Sequence, residues 1–248
     1  MTGELCVAGI GPGSEGHLTA DAQAALDAAD LIVGYKVYIN LLKDRYPGKE
    51  MYSTGMGDEV ARCEYALDKA YEGRKVAVVC SGDPGVYGMA SLILELDSRD
   101  RGGRDGEVDI TIIPGVTAAL SGAAILGSPI GSDFAVISLS TALTPWEEIA
   151  GRLKAAAEGD FSIVLYNPVS HARPDTLRQA LDIIGAVTGG ERVAGYVKNI
   201  GRDGEEHKIT TLGGLYSEDL DMFTTVYIGN KDTKSIGGRM ITGRKYIK

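Results

Sequence analysis

Cysteine, histidine and tryptophan are scarce in this chain: three, three and one among 248 residues. Cys6, Cys63 and Cys80 are odd in number and widely spaced, which argues against a disulfide framework. Cys6 and Cys80 fall in apolar strand patterns, where a free thiol behaves as a small buried hydrophobe. His17, His171 and His207 show no ligand spacing, so no metal site is expected. No Ser-His-Asp or Cys-His arrangement occurs, and Ser81 has no base assigned to it. Covalent hydrolysis is therefore disfavoured. Long apolar runs are absent too, and Thr2-Gly3-Glu4 leads straight into a strand pattern. A cytoplasmic protein with no membrane partner is expected. The formal charge is −9 and no block of Lys and Arg is present, so nucleic acid is not an expected partner.

Glycine is what the chain has in plenty, with 34 residues placed between apolar runs and no collagen-like period. That distribution predicts many short, tight connections. Hydrophobic residues make up 44% and charged residues 24%, ordinary proportions for a globular protein. A chain of this size buries roughly 70% of its unfolded surface, enough for one large domain or two compact ones.

The first half alternates strands and helices. Strands are expected over 5–9, 31–34, 50–52, 76–80 and 108–113, and helices over 19–29, 58–71 and 86–96. Val60, Cys63, Tyr65 and Leu67 are expected to turn partly toward the core. A solvated loop should cover 97–109. This order predicts a mostly parallel sheet with helices on both faces. In the second half, helices are expected over 117–126, from Thr144 onward and over 175–184. Thr144 reads as a cap, with Pro145 in the first turn and Glu147 completing a capping box. Strands are expected over 134–139, 161–166, 192–198, 207–211 and 222–229, the last two antiparallel in part. This half therefore reads as mixed α+β, with domains at 1–114 and 115–248.

Strand-to-turn junctions carry the functional signal. Gly9-Ile10-Gly11-Pro12-Gly13 follows the first strand, and Gly82-Asp83-Pro84-Gly85 follows the fourth. In open α/β sheets ligands bind at that carboxyl edge. The first turn is a poor dinucleotide fingerprint. Gly16 falls one place late, Pro12 lacks a donor, and Asp30 precedes the second strand instead of ending it. A plain tight turn and a ligand held by main-chain groups both remain open. Asp83, at the end of a buried strand, needs a partner; a helix N-terminus or a bound polar group would each serve. Pro114-Gly115-Val116-Thr117 and Tyr166-Asn167-Pro168 repeat the pattern. Tyr35 and Tyr38 either flank a flat ligand or pack in the core. Arg173, Lys198, Arg202, Arg239 and Arg244 read as carboxylate clamps or as solvated surface.

Val7–Gly13, Thr19, Ala29–Tyr35, Ser81–Tyr87 and Ile113–Thr117, in this order, resemble the tetrapyrrole methylases. Three further stretches resemble the precorrin-3B or cobalt-factor III C17-methyltransferase branch of that family. They are Tyr166-Asn167-Pro168 with Arg173, Asp221–Asn230, and Arg239–Tyr246, in which Lys245 lies; Gly243 stands where that branch more often has proline. The resemblance implies a two-domain α/β fold, the class III S-adenosyl-L-methionine-dependent methyltransferase fold, with the cofactor in an interdomain cleft. It also implies a homodimer, and a tetrapyrrole in a trough over the first domain. S-adenosyl-L-methionine, leaving as S-adenosyl-L-homocysteine, would contact Pro12, Gly82, Asp83, Val86, Tyr87, Thr117, Ala118, Tyr166, Asn167, Val197 and Thr210. The tetrapyrrole would contact Gly11, Tyr35, Tyr38, Arg173, Arg202 and Arg244. Asp83, Tyr87 and Thr117 are the polar groups implied for catalysis. The reaction implied is methylation at C-17 with ring contraction, in cobalamin biosynthesis. A methylase acting at C-11 or C-20 would share the same cofactor turns, and a non-catalytic nucleotide-binding module would explain the glycines alone.

Overall fold

The computed structural model describes residues 2–99, 106–170, 173–244 and Tyr246. His171, Lys245 and the middle of the loop expected over 97–109 lie outside the described residues. The chain divides into two compact units, Met1–Thr117 and Ala118–Lys248.

In the first unit, β1 (Gly3–Gly9) leads through a 3-10 turn (Glu15–His17) to α1 (Ala20–Ala28), β2 (Leu31–Tyr35) and α2 (Lys36–Leu42). Then come β3 (Glu50–Thr54), α3 (Glu59–Tyr71), β4 (Lys75–Cys80), α4 (Ala90–Ser98) and β5 (Val108–Ile113). The strands form one parallel sheet in the order β3-β2-β4-β1-β5. Successive side chains on a strand face opposite sides, and both sides here are apolar. Leu5, Val7, Leu31, Val33, Val76 and Val78 pack with Cys63, Ala66 and Leu67 of α3 and Ile93 of α4. Ile32, Ala77 and Val79 pack with Leu26 of α1 and Ile39 and Leu42 of α2. Helices on both faces explain why β4 reads as an unbroken apolar run.

Thr19 caps α1 as expected, its Oγ1 accepting the Ala22 N–H at 3.2 Å. Two expectations need correction. Val60 is half exposed, because the inward stripe of α3 starts only at Arg62, whose guanidinium donates to Thr54 Oγ1 and Gly55 O. The helix expected from Val86 begins at Ala90. Tyr87 has φ +55°, a left-handed conformation that no α-helix accommodates, so residues 84–89 form a turn.

The second unit opens with α5 (Ala118–Leu126), β6 (Gly127–Ser128), β7 (Phe134–Ser138), α6 (Trp146–Glu158), β8 (Ser162–Tyr166) and α7 (Thr176–Thr188). It continues with β9 (Val193–Lys198), β10 (Glu206–Thr211), a 3-10 turn (Gly213–Ser217), β11 (Thr224–Ile228), β12 (Thr233–Ile236) and β13 (Arg239–Thr242). The main sheet runs β10-β9-β11-β8-β7 and is mixed: β7 and β8 are parallel, while β11 and β10 run antiparallel to their neighbours. α6 and α7 cover one face through Leu153, Leu177, Leu181 and Ile184. α5 covers the other through Ala119, Ala123 and Leu126.

The capping box is a third correction. Pro145 is the N-cap of α6 and no side chain caps it, so Glu147 sits one position too early for the box. Residues 233–242 carry no strand expectation, yet they form the hairpin β12–β13. Gly237 (φ +57°) and Gly238 (φ +73°) supply the left-handed pair that a two-residue turn requires. β13 then pairs in parallel with β6, closing a three-stranded sheet.

Candidate active site

The carboxyl ends of β1, β4 and β5 are fused main chain to main chain. Gly11 N–H donates to Gly82 O at 3.2 Å, and Gly82 N–H donates to Gly11 O at 2.8 Å. Both glycines have positive φ, +71° and +68°. Gly115, after β5, closes the third side, where a Cβ would lie 2.1 Å from Gly82 O and 2.7 Å from Gly9 Cα. No side chain fits between these turns.

Asp83 ties two of the turns together, its Oδ1 accepting the Gly85 N–H at 2.8 Å and its Oδ2 the Gly115 N–H at 2.9 Å. The carboxylate thus straps the ends of β4 and β5 instead of capping α4, which begins seven residues later at Ala90. Thr19 adds a weaker tie, donating to Pro114 O at 3.4 Å. Pro12 is buried in the first turn and Val86 is half-buried. Tyr87 stands 57% exposed in its left-handed conformation. A bulky residue held at positive φ costs of order 1–3 kcal/mol and points to a functional site. Tyr35 and Tyr38 meet edge to face, with ring centroids 5.2 Å apart and planes at 86°. That geometry excludes a parallel sandwich around one flat ligand, and Tyr38 packs on the α1–α2 core.

In the second unit, Tyr166 ends β8 and Asn167 follows at φ +53°. Asn167 Nδ2 donates to Ser138 Oγ at 3.0 Å, fixing it to the end of β7. Tyr166 Oη accepts the Ala119 N–H at 2.6 Å, at the start of α5. Val197 has its side chain fully buried beneath α5 with Ala119 and Tyr227, and β10 and β11 flank its main chain. Thr210 is half-buried on β10.

The basic candidates differ in their commitments. Arg173 donates to Ser170 Oγ at 3.2 Å and Leu139 O at 3.3 Å, which holds its own loop. Arg202 lies over the Phe223 ring at 6.0 Å. Lys198 pairs with Asp221 at 2.9 Å. Arg244 lies over Tyr246 at 5.5 Å and lines a cleft of about 330 Å³ with Lys231, Asp160, Asn230 and Asp232. Asp160 is held there by Lys231 at 2.6 Å and Arg192 at 2.9 Å. Burial raises the Asp160 carboxyl, but these bonds outweigh it and hold it below the usual carboxylate range. Among the described residues, no group of His, Cys, Asp or Glu could hold a metal, and no helix is long and apolar enough to cross a membrane. Burial pushes the Cys63 thiol up to about 12 and the Cys6 and Cys80 thiols up to about 11, which suits packing and not nucleophilic work.

Sequence reasoning passed over Tyr227 and Ser138. Tyr227 sits in a run of five buried β11 residues and signals only packing, and Ser138 is picked out only by its pairing with Tyr166 across β7 and β8.

Comparison with known proteins adds to this geometry. The family described as Tetrapyrrole (Corrin/Porphyrin) Methylases matches residues 4–216. A "Probable cobalt-factor III C(17)-methyltransferase" of Salmonella typhimurium is 45% identical, over 98% of this chain and 99% of that one. A "Precorrin-3B C(17)-methyltransferase" of Sinorhizobium sp is 39% identical, over 95% and 92% of the two chains. Among solved structures, the methyltransferase CobJ superposes with a TM-score of 0.89 at 37% identity, covering 97% of this chain and all of that one.

Proposed function

Because the chain belongs to the tetrapyrrole (corrin/porphyrin) methylase family, we propose that it methylates C-17 of precorrin-3B or cobalt-factor III. S-adenosyl-L-methionine is the donor, and ring contraction accompanies the transfer in cobalamin biosynthesis. The observation that carries this reading is the end-to-end match, at 39–45% identity, to relatives bearing that specificity in their names.

The residues present suit a cationic donor. The segments 9–16, 81–90 and 113–119 contain no Lys or Arg, and Asp83 stands among them. Absence of positive charge, with main-chain groups at hand, favours a sulfonium. On the first unit, Pro12, Gly82, Asp83, Val86, Tyr87 and Thr117 are assigned to hold it. On the second, Ala118, Tyr166 and Asn167 carry the same assignment, Thr210 being a weaker member. When bound, the donor supplies an already activated methyl whose leaving group departs neutral, so sulfur needs no general acid. Positioning is then the main demand, with reacting atoms held about 3–3.5 Å apart. The fused glycine turns meet it by fixing the main chain rigidly. Asp83, with both oxygens bound to N–H groups, acts by holding those turns. Tyr87 and Thr117 are the polar groups assigned to the contraction step.

The substrate is a polycarboxylate meeting a chain of charge −9, so local cations must receive it. Gly11, Tyr35, Tyr38, Arg173, Arg202 and Arg244 are assigned to that contact, and Arg244 makes no ion pair among the described residues. The family resemblance further supports a homodimer working in the cytoplasm, which sedimentation and fractionation would check.

The test is direct. The protein is incubated with S-adenosyl-L-methionine and either metal-free precorrin-3B or cobalt-factor III, and the new methyl is located by NMR. A C-17 methyl in a contracted ring is expected. Methylation at C-11 or C-20, or none with either substrate, overturns the assignment.

A further inference from the structure

Tyr227 lies in β11, more than a hundred residues along the chain from α5, with its side chain 1% exposed. Its hydroxyl donates to Ala118 O at 2.7 Å and is 3.2 Å from Ala119 O. Tyr166 reaches Ala119 with opposite polarity, its Oη accepting that residue's N–H at 2.6 Å. One phenol therefore takes the free N–H that a helix start leaves over, while the other grips the adjoining carbonyls.

This arrangement is not what stability alone would select. Phenylalanine at position 227 would fill the same core space with no hydroxyl to satisfy. The facing residue of α5 is Gly122, where a Cβ would lie 2.3 Å from Tyr227 Oη. Glycine inside a helix costs about 1 kcal/mol relative to alanine. The protein thus carries a mid-helix glycine and a buried phenol together, and what the pair secures is the placement of Ala118 and Ala119. Burial, with Tyr166 nearby, pushes the Tyr227 phenol well up, so it remains a donor through neutral and mildly alkaline pH.

We propose that Tyr227 is a positioning residue for methyl transfer, holding the main chain of Ala118–Ala119 in register for the donor through its hydroxyl, with Tyr166 as its counterpart. The inference rests on the assignment of Ala118 as a donor contact.

The experiment compares wild type with Tyr227→Phe by calorimetric titration of S-adenosyl-L-methionine and by steady-state kinetics. The variant should bind the donor about tenfold more weakly. Its KM for the donor should rise by a similar factor, with kcat at saturating donor within about twofold of wild type. A role in folding alone would lower kcat through loss of active protein and leave KM and Kd unchanged; that result overturns the proposal. Wild-type affinity in the variant overturns it equally. Should Tyr227→Phe fail to fold, Gly122→Ala, whose methyl would lie 2.3 Å from Tyr227 Oη and so must displace that hydroxyl, is judged by the same criteria. Failure of the wild type itself to bind the donor sinks the parent reading, and this one with it.

Discussion

Tyr87 and Asn167 are held at positive φ, and the family resemblance implies both as donor contacts. Asn adopts that conformation more readily than other non-glycine residues, and here its amide also bonds Ser138 across the sheet. Tyrosine has no such relief, and the donor contact proposed for Tyr87 would account for the strain it retains. Tyr87→Gly should therefore leave stability unchanged or raise it by up to about 1 kcal/mol in urea unfolding. Methyl transfer should fall at least tenfold in kcat/KM, a loss of about 1.4 kcal/mol in transition-state stabilisation. A variant as active as wild type would mean that the ring takes no part. The family resemblance brought in Tyr87 beside Gly82-Asp83-Pro84-Gly85, but the sequence conceals the backbone strain and, with it, the late start of α4 at Ala90. Asp83 was similarly half legible: its need for partners followed from burial, whereas Gly115 as one of those partners lies 32 residues away and only the fold brings it there.

At the scale of elements, strand and helix alternation in the first unit was readable because covered parallel strands carry long apolar runs, as in β4. The hairpin β12–β13 was not readable. Its strands are short, and Lys234, Ser235 and Ile236 are exposed, so no burial pattern marks them; Gly237-Gly238 was the available clue. The start of α6 departs from expectation for a local reason, since Pro145 takes the N-cap position and shifts the box out of step. Edge cohesion gives a sharp prediction at this scale. Gly115→Ala puts a methyl against Gly82 O with no flexible atom to yield. The strand ends of β1, β4 and β5 must then part, at a cost of about 1–3 kcal/mol. Urea unfolding should register that cost, and donor binding should weaken alongside it. A destabilised variant with wild-type donor affinity would show that the fused turns serve only folding.

Across the molecule, charge is unevenly committed. Asp160, Glu218 and Asp221, all in the second unit, have carboxyls held below their ordinary range. For Glu218 the chief cause is the bond from Lys208; for the two aspartates burial opposes, and bonds from Lys231 and Lys198 prevail. A depressed folded-state pKa adds stability that is fully present above the unfolded value, near 4, and is lost as pH falls through the folded value. Among the described residues of the first unit, a carboxyl held below its ordinary range occurs only at exposed Glu50, through its bond from Arg74. Hydrogen exchange followed as pH falls below about 4 should thus lose protection in β8–β11 before it does so in β1, β2 and β4; simultaneous loss would contradict the asymmetry. The β6–β13 pairing imposes a different order, one of time. The parallel sheet of the first unit is complete once residue 113 has been synthesised, whereas β6 emerges from the ribosome long before residues 239–242 exist to receive it. During translation, residues 127–128 must therefore wait without their native neighbour, so ribosome stalling or truncation short of residue 239 leaves that part of the second unit unfinished beside an already completed first sheet.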